Sequence, residues 1–128
     1  MTLESIAAIA YALASSVAIV FELALTAGAP WGEYAMGGAY PGRLPARIRV
    51  ATGVQALLLC GFAAAVLSAA GLAFPAIAQA APWLIWVAVG LSAVSLVLNS
   101  ITNSRMERRI WAPVAAVMLA SSLIVALA

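Results

Sequence analysis

The ionisable side chains are few enough to be taken one at a time. The acids are Glu4, Glu22, Glu33 and Glu107, the bases are six arginines, and aspartate, lysine and histidine are absent. Without an imidazole there is no Ser-His-Asp set, and no zinc or two-metal ligand group can be assembled. The glutamates lie far apart in the chain. The single thiol, Cys60, sits in an apolar run with no neighbouring base to hold it as a thiolate, and alone it forms no disulfide within the chain. The residues therefore nominate no catalytic group, no metal and no cofactor, and the expected protein is not an enzyme.

Glu22 raises a different question. It stands inside the apolar segment 5–27, where an acid costs about 2.5–3.5 kcal/mol even on lenient insertion scales and needs a protein-facing partner. Arg47, Arg49 and Arg105 are the candidates. On the same helical stripe lie Tyr11, Ser15 and Thr26, with Ala18 between. Ser92, Ser95, Asn99, Thr102 and Asn103 make a second stripe, and Thr52 and Gln55 lie one turn apart on a third segment. Glu22, Gln55 and Asn99 fall at a similar depth, so three helices are expected to offer polar faces to one another. The plainer reading is helix packing, since such side chains bond between membrane helices for ~0.6–2 kcal/mol each. Small residues such as Ala8, Ala12 and Ser16, or Gly61, Ala65 and Ala69, would assist that packing. The sharper reading is a proton or ligand site at Glu22.

Composition decides what must position these groups. With 66% hydrophobic and 8% charged residues in 128, the chain has too little polar surface to close as a water-soluble globule. The net charge of +2 comes from two small arginine clusters and not from a nucleic-acid-binding face. Four apolar segments, about 5–27, 46–72, 83–102 and 111–128, are each read as spanning helices of a single domain covering residues 1–128. Ala27-Gly28-Ala29 resembles a signal cleavage site, but the basic segment that should precede it is missing, so the first helix is expected to be retained. Gly28 and Pro30 end that helix, Pro45 opens the second, and Pro113 is expected in the first turn of the fourth. The fold class is all-α: an integral membrane antiparallel four-helix bundle with a long Gly/Pro-rich loop between helices 1 and 2.

That loop is the one long stretch able neither to span nor to run as an unbroken helix. Thr26 to Arg49 contains Pro30, Pro41 and Pro45 and five glycines. Its glycines match no dinucleotide fingerprint, and there is no Walker lysine. It is either a compact connection or a cap in which Trp31, Glu33, Tyr34, Tyr40, Arg43 and Arg47 close over Glu22, Gln55 and Asn99; loops of this length are more often functional than idle. All six arginines, Arg43, Arg47, Arg49, Arg105, Arg108 and Arg109, fall in or beside the first and third connections. The positive-inside rule then puts those connections in the cytoplasm and both termini outside, with Trp31 and Trp111 at the inner interface and Trp83 and Trp86 at the outer. The Ala, Gly and Arg bias without lysine suggests a GC-rich bacterial genome, and the expected location of the spanning helices is the bacterial cytoplasmic membrane. The arginines would also attract anionic lipid headgroups.

Two resemblances follow from these residues. A four-helix chain with a glutamate on its first helix resembles the plan of the small multidrug transporters, which work as dimers, although Glu22 lies near the inner end and the long loop has no counterpart there. The segments GAPWGEYAMGG, PGRLPARIRV and NSRMERRIWAPV resemble a group of small bacterial membrane proteins that carry GAPxG, GG, PGxLPxxxR and SRxERxxWxP motifs. No activity is attached to that group. The resemblance implies that the two basic connections are the working face, with Trp31, Arg43, Arg47, Arg49, Arg105, Glu107 and Arg108 at the matching positions. Two functional expectations result: a non-enzymatic membrane protein whose cap (28–47 and 103–110) binds a partner protein, an anionic lipid or a small ligand, or a homodimeric carrier of small molecules or ions with Glu22 as its coupling carboxylate.

Overall fold

The computed structural model describes the whole chain, Met1–Ala128. It is all-helical, with α1 (Leu3–Ala27), α2 (Ala46–Ala69), a short α3 (Pro75–Ala80), α4 (Leu84–Ile101) and α5 (Arg105–Leu127). Every one of these except α3 is long and apolar enough to cross a membrane.

Local chemistry sets the boundaries. α1 starts with Thr2, whose hydroxyl accepts from the Ser5 N–H at 3.1 Å. It stops at Gly28, whose φ of 102° lets Gly28 N bond Leu25 O at 3.0 Å and Ala29 N bond Ala24 O at 2.9 Å. This Schellman arrangement satisfies carbonyls the helix end would orphan. Gly71, at φ 75°, ends α2 the same way: its N–H reaches Ser68 O, and Leu72 N reaches Leu67 O, both at 3.0 Å. α2 therefore stops at Ala69, short of the 72 expected from hydropathy. The connection expected over 73–82 is partly helical, because Pro75 suits a first turn and Ser68 pins the segment. Ser68 Oγ donates to Phe74 O at 2.7 Å and accepts from Ala78 N at 2.8 Å.

The largest departure is α5. It begins at Arg105 and not near Trp111, capped by Ser104, whose Oγ accepts from Glu107 N at 3.1 Å. Pro113 is consequently in the helix interior and not in its first turn; lacking an N–H, it leaves the Arg109 carbonyl without its i+4 donor.

α1 packs along both α2 and α5, and α5 along α4, whereas α2 and α4 meet sparingly. The core cluster is Ala7, Ala8, Tyr11, Val66, Ile85, Ala88, Met118 and Val125. Small residues in it let the backbones approach closely. The buried residues of α4 are Ile85, Ala88 and Ser92, all in its first half. Packing is thus densest toward α3, and the helices part around a cavity toward the opposite, arginine-bearing end.

Candidate functional site

The cavity has a volume of about 620 Å³, within the range of small-molecule sites. Tyr11, Ala18, Phe21 and Glu22 line it from α1, Thr52, Gln55, Leu58 and Phe62 from α2, Leu91, Ser92, Ser95 and Asn99 from α4, and Glu107, Trp111 and Met118 from α5. Tyr34, Ala35 and Met36 of the long loop complete its wall. Glu22, Gln55 and Asn99, placed at similar depth by counting residues, line one space.

The polar groups around it are unequally satisfied. Asn99 Nδ2 donates to Ser95 O at 2.7 Å and Ser95 Oγ at 3.1 Å, which leaves its amide oxygen free. At the α3 end the Tyr11 hydroxyl faces both Ser92 and Ser15; Ser15 is fully buried, and its Oγ makes no hydrogen bond of good geometry. Thr26 and Thr52 are drawn into the α1–α2 contact, their hydroxyls 2.8 Å apart. Glu22 accepts from the Thr26 hydroxyl through its backbone carbonyl, at 2.8 Å, while its half-buried carboxylate has no hydrogen-bonding or ion-pair partner among the protein groups. The arginine partner expected for it is not found. Arg49 Nε instead donates to Thr26 O at 3.0 Å, and Arg47 and Arg105 are exposed. The reason is geometric: the carbonyls at the α1 C-terminus lie nearer the arginine-bearing loop than does a carboxylate more than a turn deeper, and they carry the negative end of the helix dipole.

The loop closes one end of the cavity as a folded cap. Gly32 N donates to Gly42 O at 2.8 Å, so tightly that a Cβ at Gly32 would overlap the Tyr40 carbonyl oxygen. Met36, Gly37 and Gly38 all have positive φ, 54°, 67° and 78°. The glycines take such angles freely, whereas Met36 does so at a cost of about 1–2 kcal/mol. Three bonds from the start of α5 hold this turn: Ser104 Oγ to Glu33 O at 2.7 Å, Gly37 N to Glu107 Oε2 at 2.8 Å, and Trp111 Nε1 to Tyr34 O at 3.0 Å. Ser104 and Glu107 have the spacing of a capping box, but the glutamate is diverted from its own helix to the loop. Ser104 N turns to Thr102 Oγ1, at 3.3 Å.

Of the six side chains expected to close over Glu22, Gln55 and Asn99, only Tyr34 lines the cavity. Trp31 stacks on Phe21 outside it, with centroids 6.3 Å apart and planes 9° from parallel, and with Glu33 borders a smaller recess. Tyr40 is not on the cavity wall, Arg43 lies against Gly28 at the α1 C-terminus, and Asn103 is exposed. Arg108 Nη1 donates to Thr102 O at 2.8 Å. Arg49 and Arg108 thus each bond a carbonyl near a helix C-terminus. Sequence reasoning reached Glu107 only through the resemblance and not from its own chemistry, and omitted Ser104 and Trp111; for Ser104 and Glu107 the Ser-x-x-Glu spacing was the signal, since it marks a helix start ahead of the apolar run. No family model, curated protein or solved structure matches the chain.

Proposed function

We propose that this chain is a small integral membrane protein of the bacterial cytoplasmic membrane, an antiparallel four-helix bundle that binds a small amphiphilic ligand in the cavity beneath its cap. The arginine-bearing end faces the cytoplasm and both termini lie outside, as the positive-inside rule directs. The observation that carries the reading is Glu22: a carboxylate on the wall of a cavity of about 620 Å³, with no partner from the protein. An intramembrane acid kept without a protein partner calls for one from outside. Phe62, Leu58 and Met118 would receive an apolar body, while Gln55 and Asn99 supply hydrogen-bonding capacity beside Glu22. Leu58 on α2 and Leu91 and Leu98 on α4 are about half exposed at the cavity's edges, and the sparse α2–α4 contact supports access from the bilayer between these helices.

The same unpartnered carboxylate supports a second reading, a homodimeric carrier in which Glu22 couples proton and substrate. The deciding experiment is a high-resolution structure of protein purified in native lipid, with Glu22→Gln in parallel. Non-protein density between Glu22, Gln55 and Asn99 is the expected result; a dry cavity with Glu22 closed on an arginine overturns the ligand reading. Loss of proton-linked flux in Glu22→Gln at unchanged yield would favour the carrier, and loss of yield alone would make Glu22 structural.

A further inference from the structure

On the outer side of the cavity wall lies a second recess of about 370 Å³, bordered by Phe21, Trp31, Glu33, Tyr34, Ile110 and Trp111. Its composition is specific: four aromatic rings, one carboxylate, one aliphatic side chain and no arginine, although the arginines crowd this end of the molecule. Phe21 lies between two rings, parallel to Trp31 within 9° at 6.3 Å and tilted 49° to Trp111 at 4.6 Å. Trp111 and Tyr34 are fixed to each other through the 3.0 Å bond from the indole N–H to the Tyr34 carbonyl. Glu33 is fixed at its backbone by Ser104, and its carboxylate accepts a long bond from the Gly42 N–H at 3.4 Å. Trp31 is 44% exposed and Ile110 41%, so the recess opens outward.

Aromatic faces carry negative potential and hold ammonium groups, quaternary ones especially, within about 6 Å of a ring centroid. A carboxylate beside them adds to that preference and opposes an anion. The depth is also informative. Phe21 lies about 9 Å below the end of α1 at 1.5 Å of rise per residue, and α1 is long enough to overhang a hydrocarbon core of ~30 Å. The recess therefore sits where the apolar core gives way to headgroups, the level that tryptophan and tyrosine prefer.

We propose that this recess is a binding site for a phospholipid whose headgroup ends in an ammonium, with the cation against Trp31, Tyr34 and Trp111 beside Glu33 and an acyl chain running down past Phe21 and Ile110. Phe21, Tyr34 and Trp111 form a wall shared with the central cavity, whereas Trp31, Glu33 and Ile110 border the recess alone.

The test uses the full chain in mixed micelles, with native mass spectrometry counting retained lipid. The probes are a phosphatidylcholine, its isostere in which a carbon replaces the headgroup nitrogen and only the phosphate charge remains, and a phosphatidylglycerol, all with the same acyl chains. The choline lipid is expected to be retained about threefold or more over the carbon isostere, and more strongly still over phosphatidylglycerol. Trp31→Leu and Glu33→Gln should each erase that preference, and Trp83→Leu, at the far end of the molecule, should leave it intact. Trp31→Leu removes the stack on Phe21, and Glu33→Gln keeps an oxygen that can accept the 3.4 Å bond from the Gly42 N–H; both leave the three bonds from α5 to the cap in place. Equal retention of the choline lipid and its isostere, or a preference that survives both substitutions, overturns the proposal; preferential retention of phosphatidylglycerol would show that the arginines govern this surface.

Discussion

Glu107 and Gly37 are joined across the cap by a 2.8 Å hydrogen bond from the glycine N–H to the carboxylate Oε2. Glu107 is only 9% exposed, and a hydrogen bond to a charged group contributes about 1.5–3 kcal/mol. Glu107→Ala should therefore release the 33–38 turn, raising amide exchange there by one to two orders of magnitude while exchange in α1 and α2 is unchanged. Glu107→Gln keeps an acceptor oxygen and should lose only part of the protection. Equal exchange in all three proteins would mean that the bond does not hold the cap.

Gly32 supplies a steric test of the same cap. Its N–H bonds Gly42 O at 2.8 Å, and any Cβ would overlap the Tyr40 carbonyl. Backbone cannot yield as the end of a flexible side chain can, so Gly32→Ala should open the loop and lower the denaturation midpoint in detergent. Gly61→Ala is the control: no atom lies within 4 Å of a Cβ built there, and alanine in a helix interior is favoured over glycine by up to ~1 kcal/mol. The pair should move in opposite directions.

Periodicity and hydropathy made the helices and their polar stripes legible, because a stripe repeats within one element. Glu22, Gln55 and Asn99 were placed at one depth by residue counting alone, and they share a cavity wall. The cap was not legible in the same way. Its bonds join Glu33, Tyr34 and Gly37 to Ser104, Trp111 and Glu107 across some seventy residues, and no local pattern records which loop a glutamate will grip. The start of α5 was misread for a different reason: hydropathy does not register a polar first turn, whereas the Ser104 cap does. Arginine pairing failed because opposite charge was weighed above proximity, and helix-end carbonyls compete for a guanidinium.

Two threonine hydroxyls and two other backbone carbonyls form a compact knot at the α1–α2 contact. Thr26 Oγ1 lies 2.8 Å from Glu22 O, Thr52 Oγ1 lies 2.7 Å from Arg49 O, and the two hydroxyls are 2.8 Å apart. Two hydroxyl protons serve three contacts, so one contact is always without a proton and the knot is worth less than its bond count. A double-mutant cycle of Thr26→Val and Thr52→Val should return a coupling of about 0.5–1 kcal/mol, in the range of interhelical hydrogen bonds in membranes. Arg49→Ala should cost more than either, since it exposes the Thr26 carbonyl that Arg49 Nε bonds at 3.0 Å. A coupling above 2 kcal/mol would show that the knot holds the α1–α2 contact more strongly than its two protons account for.

Orientation can be read with single cysteines. Cys60 is the only native thiol and lies exposed on α2, so Cys60→Ser gives a clean background. Into it go Arg43→Cys, on the cap, and Gln79→Cys, exposed on α3 at the other end. If the arginine-bearing connections are retained in the cytoplasm, a membrane-impermeant maleimide should label Gln79→Cys on intact cells and Arg43→Cys only after permeabilisation. Each single arginine contributes little to orientation beside the five that remain, so removing Arg43 should not itself invert the protein. The reverse labelling pattern would place the cap outside and remove the basis for assigning it to the cytoplasm, while labelling of both positions on intact cells would be incompatible with helices that cross the membrane between them.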